Sequence, residues 1–80
     1  MSTSAVKALH ALAKAVRFDA TMMRVLLADG REISVPLEWF PRLRDASKKQ
    51  RENYRLTGGG VGIHWEELDE DISISALLAS

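Results

Sequence analysis

MMRVLLADGREISV, residues 22–35, decides the fold. Apolar residues flank Ala28-Asp29-Gly30 on both sides, which marks two strands joined by a tight turn. Met22 to Ala28 and Arg31 to Val35 therefore read as a hairpin whose register can be argued. A two-residue Asp-Gly loop sets Leu26 across from Ile33 and leaves Val25 facing Ser34. A three-residue loop with Gly30 in the left-handed region pairs Val25 with Ile33 and Met23 with Val35 on one face. The second register groups the apolar side chains and is the expected one.

Upstream, Val16 and Phe18 alternate as a short strand. Before them, Val6, Leu9, Leu12, Ala13 and Val16 recur at helical spacing after Ser4, a fair N-cap residue. Residues 1–14 are thus expected as an N-terminal helical extension, and 15–80 as one small domain. Downstream, Pro36 has no N–H for a ladder and ends the third strand. In LEWFPRLRDASKKQRENYRL, residues 37–56, Trp39 or Phe40, Leu43 and Ala46 share a helical stripe. Pro41 is tolerable only in a first turn, and Ser47 with Gln50 has the form of a capping box. That predicts two short helices or one bent helix, ending before Leu56.

Thr57-Gly58-Gly59-Gly60 then turns the chain. Val61, Ile63 and Trp65 alternate with Gly62, His64 and Glu66 as a half-buried strand, and Ile72 and Ile74 alternate with Ser73 and Ser75 as a last one. The expected fold is α+β: a small antiparallel sheet of about five short strands, with one packed helix between strands 3 and 4, beyond the helical extension.

With 46% hydrophobic residues in 80, there is material for one core. At this size such a core supplies only about 3–5 kcal/mol of net stability, so a second copy or a covering partner is physically reasonable. The chain has no cysteine, which excludes disulfides and thiolate metal sites. No apolar run reaches the roughly 18 residues of a spanning helix, and a cytoplasmic location without membrane contact is expected. Formal net charge is zero, but residues 61–80 carry five carboxylates and no Lys or Arg, leaving residues 1–60 at +5.

GGGVGIHWEELDED, residues 58–71, imitates several chemical motifs. A phosphate loop needs Lys and Ser or Thr after its last glycine, where Ile63 and His64 stand. His64-Trp65-Glu66 lacks the cysteine pair of a zinc deaminase. Asp69-x-Asp71-x-Ser73 begins like a calcium loop, but Ile74 and Ser80 occupy the positions that need glycine and glutamate. A weak divalent-ion site from Glu66, Asp69 and Asp71 stays open. His64, nearby carboxylates and Tyr54 are ingredients for acid–base work, without a nucleophile–base–orienter pattern. No catalytic residue and no cofactor is assigned.

DGREISVPLEWFPRL (29–43), QRENYRL (50–56), GGGVGIHWEELDEDIS (58–73) and the final LL (77–78) resemble a family of small bacterial proteins known as Domain of Unknown Function 2442. The resemblance covers about residues 14–79 and implies a small sheet with one helix. Some similar proteins carry a DNA-binding helix-turn-helix segment, and others are encoded beside a small toxin-like protein, which implies an antitoxin-like role. The resemblance carries over no catalytic residue. Pro36, Trp39, Phe40, Pro41, Leu43, His64, Trp65, Leu68, Asp69, Asp71 and Leu78 fall on its motif.

The leading expectation is a non-enzymatic protein-interaction module with a small basic protein as partner. Trp39, Phe40, Arg42, His64, Glu66, Glu67, Asp69, Glu70 and Asp71 are its candidate contact residues, since Trp and Arg are enriched at hot spots. The alternative is a transcription-related module touching nucleic acid through Arg42, Arg44, Lys48, Lys49, Arg51 and Arg55. A third is a small metal-dependent hydrolase using His64 and neighbouring carboxylates.

Overall fold

The computed structural model describes residues 11–79. Strands β1 (Ala13–Phe18), β2 (Met22–Leu27) and β3 (Glu32–Pro36) form one antiparallel sheet in that order. The β2–β3 hairpin has the expected register, with Val25 opposite Ile33 and Met23 opposite Val35. Its three-residue loop carries Gly30 at φ 96°, a conformation that side chains rarely adopt. At the other hairpin, Asp19 accepts from the Thr21 and Met22 amides and from Arg24. The Arg24 contact leads in holding the Asp19 carboxyl below its ordinary pKa. A bulge between Ala13 and Ala15 changes the parity of β1, so that Ala13 and Val16 both enter the core.

After Pro36 the chain makes a 3-10 turn (Leu37–Trp39) and two short helices, α1 (Pro41–Arg44) and α2 (Lys48–Glu52). Pro41 begins α1, where its missing N–H costs nothing. Ser47 and Gln50 close the capping box at the start of α2, with bonds of 3.1 and 2.9 Å. A second antiparallel sheet follows: β4 (Arg55–Thr57), β5 (Gly62–Trp65) and β6 (Glu70–Ser73), again in chain order. The short helix α3 (Ile74–Ala79) ends the described chain.

Four expectations are corrected. The single sheet of about five strands is two sheets of three, because β1 touches the second half through isolated bonds and not a ladder. The Ala13 amide donates to the Gly60 carbonyl, and the Val16 amide to the Tyr54 hydroxyl. The one packed helix of the expected fold is a 3-10 turn and two separate helices, the broken form that the local reading also offered, since Pro41 and the Ser47 cap each start a new one. The predicted last strand stops at Ser73, because Ile74 and Leu77 bury themselves at helical spacing. As for the N-terminal helix, its C-terminal end is not helical: Ala11 and Leu12 are irregular and Ala13 and Lys14 belong to β1. The rest of that prediction lies outside the described residues.

One core joins the sheets. Met23, Val25 and Leu27 of β2, Val35 of β3, Leu43 of α1, Ile63 and Trp65 of β5, and Ile74 and Leu77 of α3 are all buried together. Trp65 is its largest member, set edge-on to Phe18 and tilted against Tyr54, and its indole N–H donates to the Arg51 carbonyl at 2.9 Å. No helix among the described residues is long and apolar enough to cross a membrane.

Candidate protein-contact surface

Alternation along β5 sends Ile63 and Trp65 inward and His64 outward. The ladder then lines up Arg55 of β4, His64 of β5 and Asp71 of β6 in one row across the outer face. The His64 ring sits between two carboxylates, Nδ1 at 2.9 Å from Asp71 and Nε2 at 3.0 Å from Glu66. Asp71 foremost raises the His64 pKa. In the imidazolium form both ring N–H groups donate, leaving no lone pair for a metal or for proton abstraction. Only 16% of the His64 side chain is exposed, and Glu66 also meets Arg55 at 3.4 Å.

The β5–β6 turn carries the remaining acids. Asp69 closes it with φ 51°, a left-handed conformation that Asp tolerates. Arg42 reaches over from α1, donating to the Asp69 carbonyl and lying 3.7 Å from Glu70. Glu67 accepts from Gln50 at 3.1 Å. The candidates Arg42, His64, Glu66, Glu67, Asp69, Glu70 and Asp71 are thus brought into one neighbourhood. Glu66 and Asp71 are turned to His64, and among the described residues no group of three or more such side chains could hold a metal ion.

Beside this face, Trp39 stands 55% exposed at the end of the 3-10 turn. It borders a groove of about 310 Å³ lined by Trp39, Phe40, Asp71, Ile72, Ser73, Ala76 and Leu77. A second groove of about 490 Å³, lined by Ala11, Leu12, Val61, Gly62, Asp71–Ser73, Ile74 and Ser75, shares the β6 residues with the first. Sequence reasoning missed Ile72, Ala76 and Leu77 as groove walls. Ser73, whose hydroxyl accepts from the Ala76 amide at 3.4 Å, was the available signal for a helix start.

The basic segment is mostly spoken for. Arg44 pairs with Asp45 at 2.9 Å and Glu38 at 3.2 Å, which lowers the Asp45 carboxyl pKa. Arg51, named above among the candidate nucleic-acid contacts, instead turns its guanidinium onto the carbonyls of Leu43 and Arg44, each at 2.7 Å, and lies 6.0 Å from the Phe18 ring. Arg55 meets Glu66. Lys48 and Lys49 are exposed on α2 without an ion pair among the described residues.

Comparison with known proteins gives a family without a described activity. A protein of unknown function from Rhodospirillum rubrum ATCC 11170, known by crystal structure, is 32% identical, with 88% of this chain and 87% of that chain covered and a TM-score of 0.74. An uncharacterized protein from Chromobacterium violaceum, solved by NMR, is 20% identical and shares the fold, with 98% of this chain and 73% of that chain covered and a TM-score of 0.75. No functionally curated protein matches. Residues 13–80 match the family described as Protein of unknown function (DUF2442), and the chain belongs to it.

Proposed function

We propose that this protein is a non-enzymatic interaction module that binds a small basic protein through the Trp39–Phe40 groove and the adjoining acidic turn. The carrying observation is the exposed Trp39 at the mouth of an apolar groove that Asp71 also lines, near an acidic turn of five carboxylates of which Glu70 meets Arg42 and Glu66 meets Arg55. A half-exposed tryptophan beside a groove is the kind of anchor that dominates protein interfaces, and surplus negative charge steers a cationic partner toward it. The antitoxin-like role implied by the family resemblance is one form of this activity. The bracketing of His64 by two carboxylates supports a structural and not a catalytic use of that ring.

The test is capture from the native host at moderate salt, with wild type beside Trp39→Ala and the triple variant Asp69→Asn, Glu70→Gln, Asp71→Asn. One small basic protein recovered at near-equal stoichiometry, and reduced at least about tenfold by either variant, is the expected outcome. Equal recovery by wild type and both well-folded variants would remove this surface from consideration.

A further inference from the structure

Among the described residues no strand pairs with the outer edge of β6, and its chemistry specifies what can add to it. The Ile74 amide donates to the Val61 carbonyl. Hydrogen-bonded pairs alternate along an antiparallel ladder, so Ile72–Ile63 and Glu70–Trp65 exchange bonds across β5 and β6. The Asp71 N–H and C=O and the Ser73 N–H therefore point away from β5. The Ser73 carbonyl is committed to the first turn of α3. Both residues are exposed, and Asp71, Ile72 and Ser73 line both grooves, so open space adjoins this strand.

We propose that β6 accepts an extended segment of a partner protein by antiparallel strand addition, the segment alternating basic and apolar side chains. The inference rests on the protein-contact reading and names how that contact is made. A residue added opposite Asp71 lies on the outer face beside the exposed Asp71 carboxylate, where Lys or Arg fits. Its neighbour opposite Ile72 lies on the inner face, toward Phe40 and Leu77, where an apolar side chain fits. A second copy of β6 is the poorer occupant: it would bring its own Glu70 and Asp71 against these, and like charges across a strand pair destabilise it.

The test uses the whole chain, isotopically labelled, titrated with the peptide acetyl-KVKVKVK-amide and with the same peptide N-methylated at every internal amide. The N-methylated form keeps charge and side chains but cannot donate to a ladder. The proposal expects binding by the first peptide, hydrogen exchange at the Asp71 and Ser73 amides slowed at least about tenfold, and affinity reduced about tenfold or more by N-methylation. Equal affinity of the two peptides overturns strand addition while leaving an electrostatic contact surface intact. Failure of the unmethylated peptide to bind at about 1 mM overturns it too. So does slow exchange of the two amides in the protein alone that is lost on dilution, because a second copy then occupies the edge.

Discussion

Arg51→Met is expected to destabilise the domain by about 2 kcal/mol, a large part of the roughly 3–5 kcal/mol that a chain of this size commands. The Arg51 guanidinium makes two charge-assisted bonds of 2.7 Å to carbonyls at the end of α1. The bond to Leu43 is partly buried and contributes about 1.5 kcal/mol, while the exposed one to Arg44 contributes less. The approach to Phe18, at 6.0 Å, is at the outer limit of a cation–π contact and adds at most about 0.5 kcal/mol. Removing the guanidinium leaves the Leu43 carbonyl with the longer 3.2 Å bond from the Ala46 amide and loosens the segment whose Arg51 carbonyl receives the Trp65 indole. At ~4–8 °C per kcal/mol for a domain this small, Tm should fall by about 8–16 °C. Urea unfolding with an unchanged slope is the direct assay. Arg51→Lys keeps the charge but offers one point donor where the fork made two bonds, so it should lose about half as much. If both variants change stability by less than about 0.5 kcal/mol, the clamp described here is ornamental, and Arg51 returns to the pool of surface cations.

Two further perturbations test the second sheet. Gly60 has φ 114°, and an added Cβ would lie 2.6 Å from the Ala13 carbonyl oxygen, whereas Gly59, at φ 72°, has nothing within 4 Å of that position. Gly59→Ala should therefore cost only the left-handed backbone penalty of about 1–2 kcal/mol, and Gly60→Ala clearly more, because it also breaks the Gly60–Ala13 junction; equal losses in thermal melts would refute this. The His64 pKa is raised above its ordinary 6.5 by Asp71 and Glu66, so the folded state binds that proton more tightly than the unfolded chain. The resulting stabilisation is fully present below about pH 6.5 and disappears as pH rises through the higher folded pKa. His64→Gln should flatten stability over that window, and an NMR titration of the ring at or below its ordinary pKa would contradict it.

The residues differ sharply in how legible they were. The β2–β3 register could be read because shifting it by one moves Val25 and Met23 from the core to solvent, a penalty visible in the sequence itself. The break between α1 and α2 was equally local, written in Pro41 and the Ser47–Gln50 box. Strand β4 was not readable: Arg55-Leu56-Thr57 has one apolar residue and no period, and it is a strand only because β5 lies beside it. The fate of Ile74 was ambiguous, since a residue two after Ile72 and three before Leu77 satisfies both periods. The contact candidates from Arg42 to Asp71 do assemble, yet Arg51 was misplaced because charge alone does not reveal whether a guanidinium faces water or a carbonyl.

By itself, then, the sequence determined what depends on neighbours along the chain: turn geometry at Gly30, helix starts at Pro41 and Ser47, and the inward set Ile63 and Trp65. It also determined the family and the segregation of charge. The tertiary structure alone decided what depends on distant parts meeting. The strands divide into two sheets because the Gly60 carbonyl and the Tyr54 hydroxyl each satisfy one amide of β1 where a ladder would have satisfied several. The two grooves that share Asp71–Ser73 lie where α3 leaves the strand after Ser73, beside an edge that no local pattern of residues encodes.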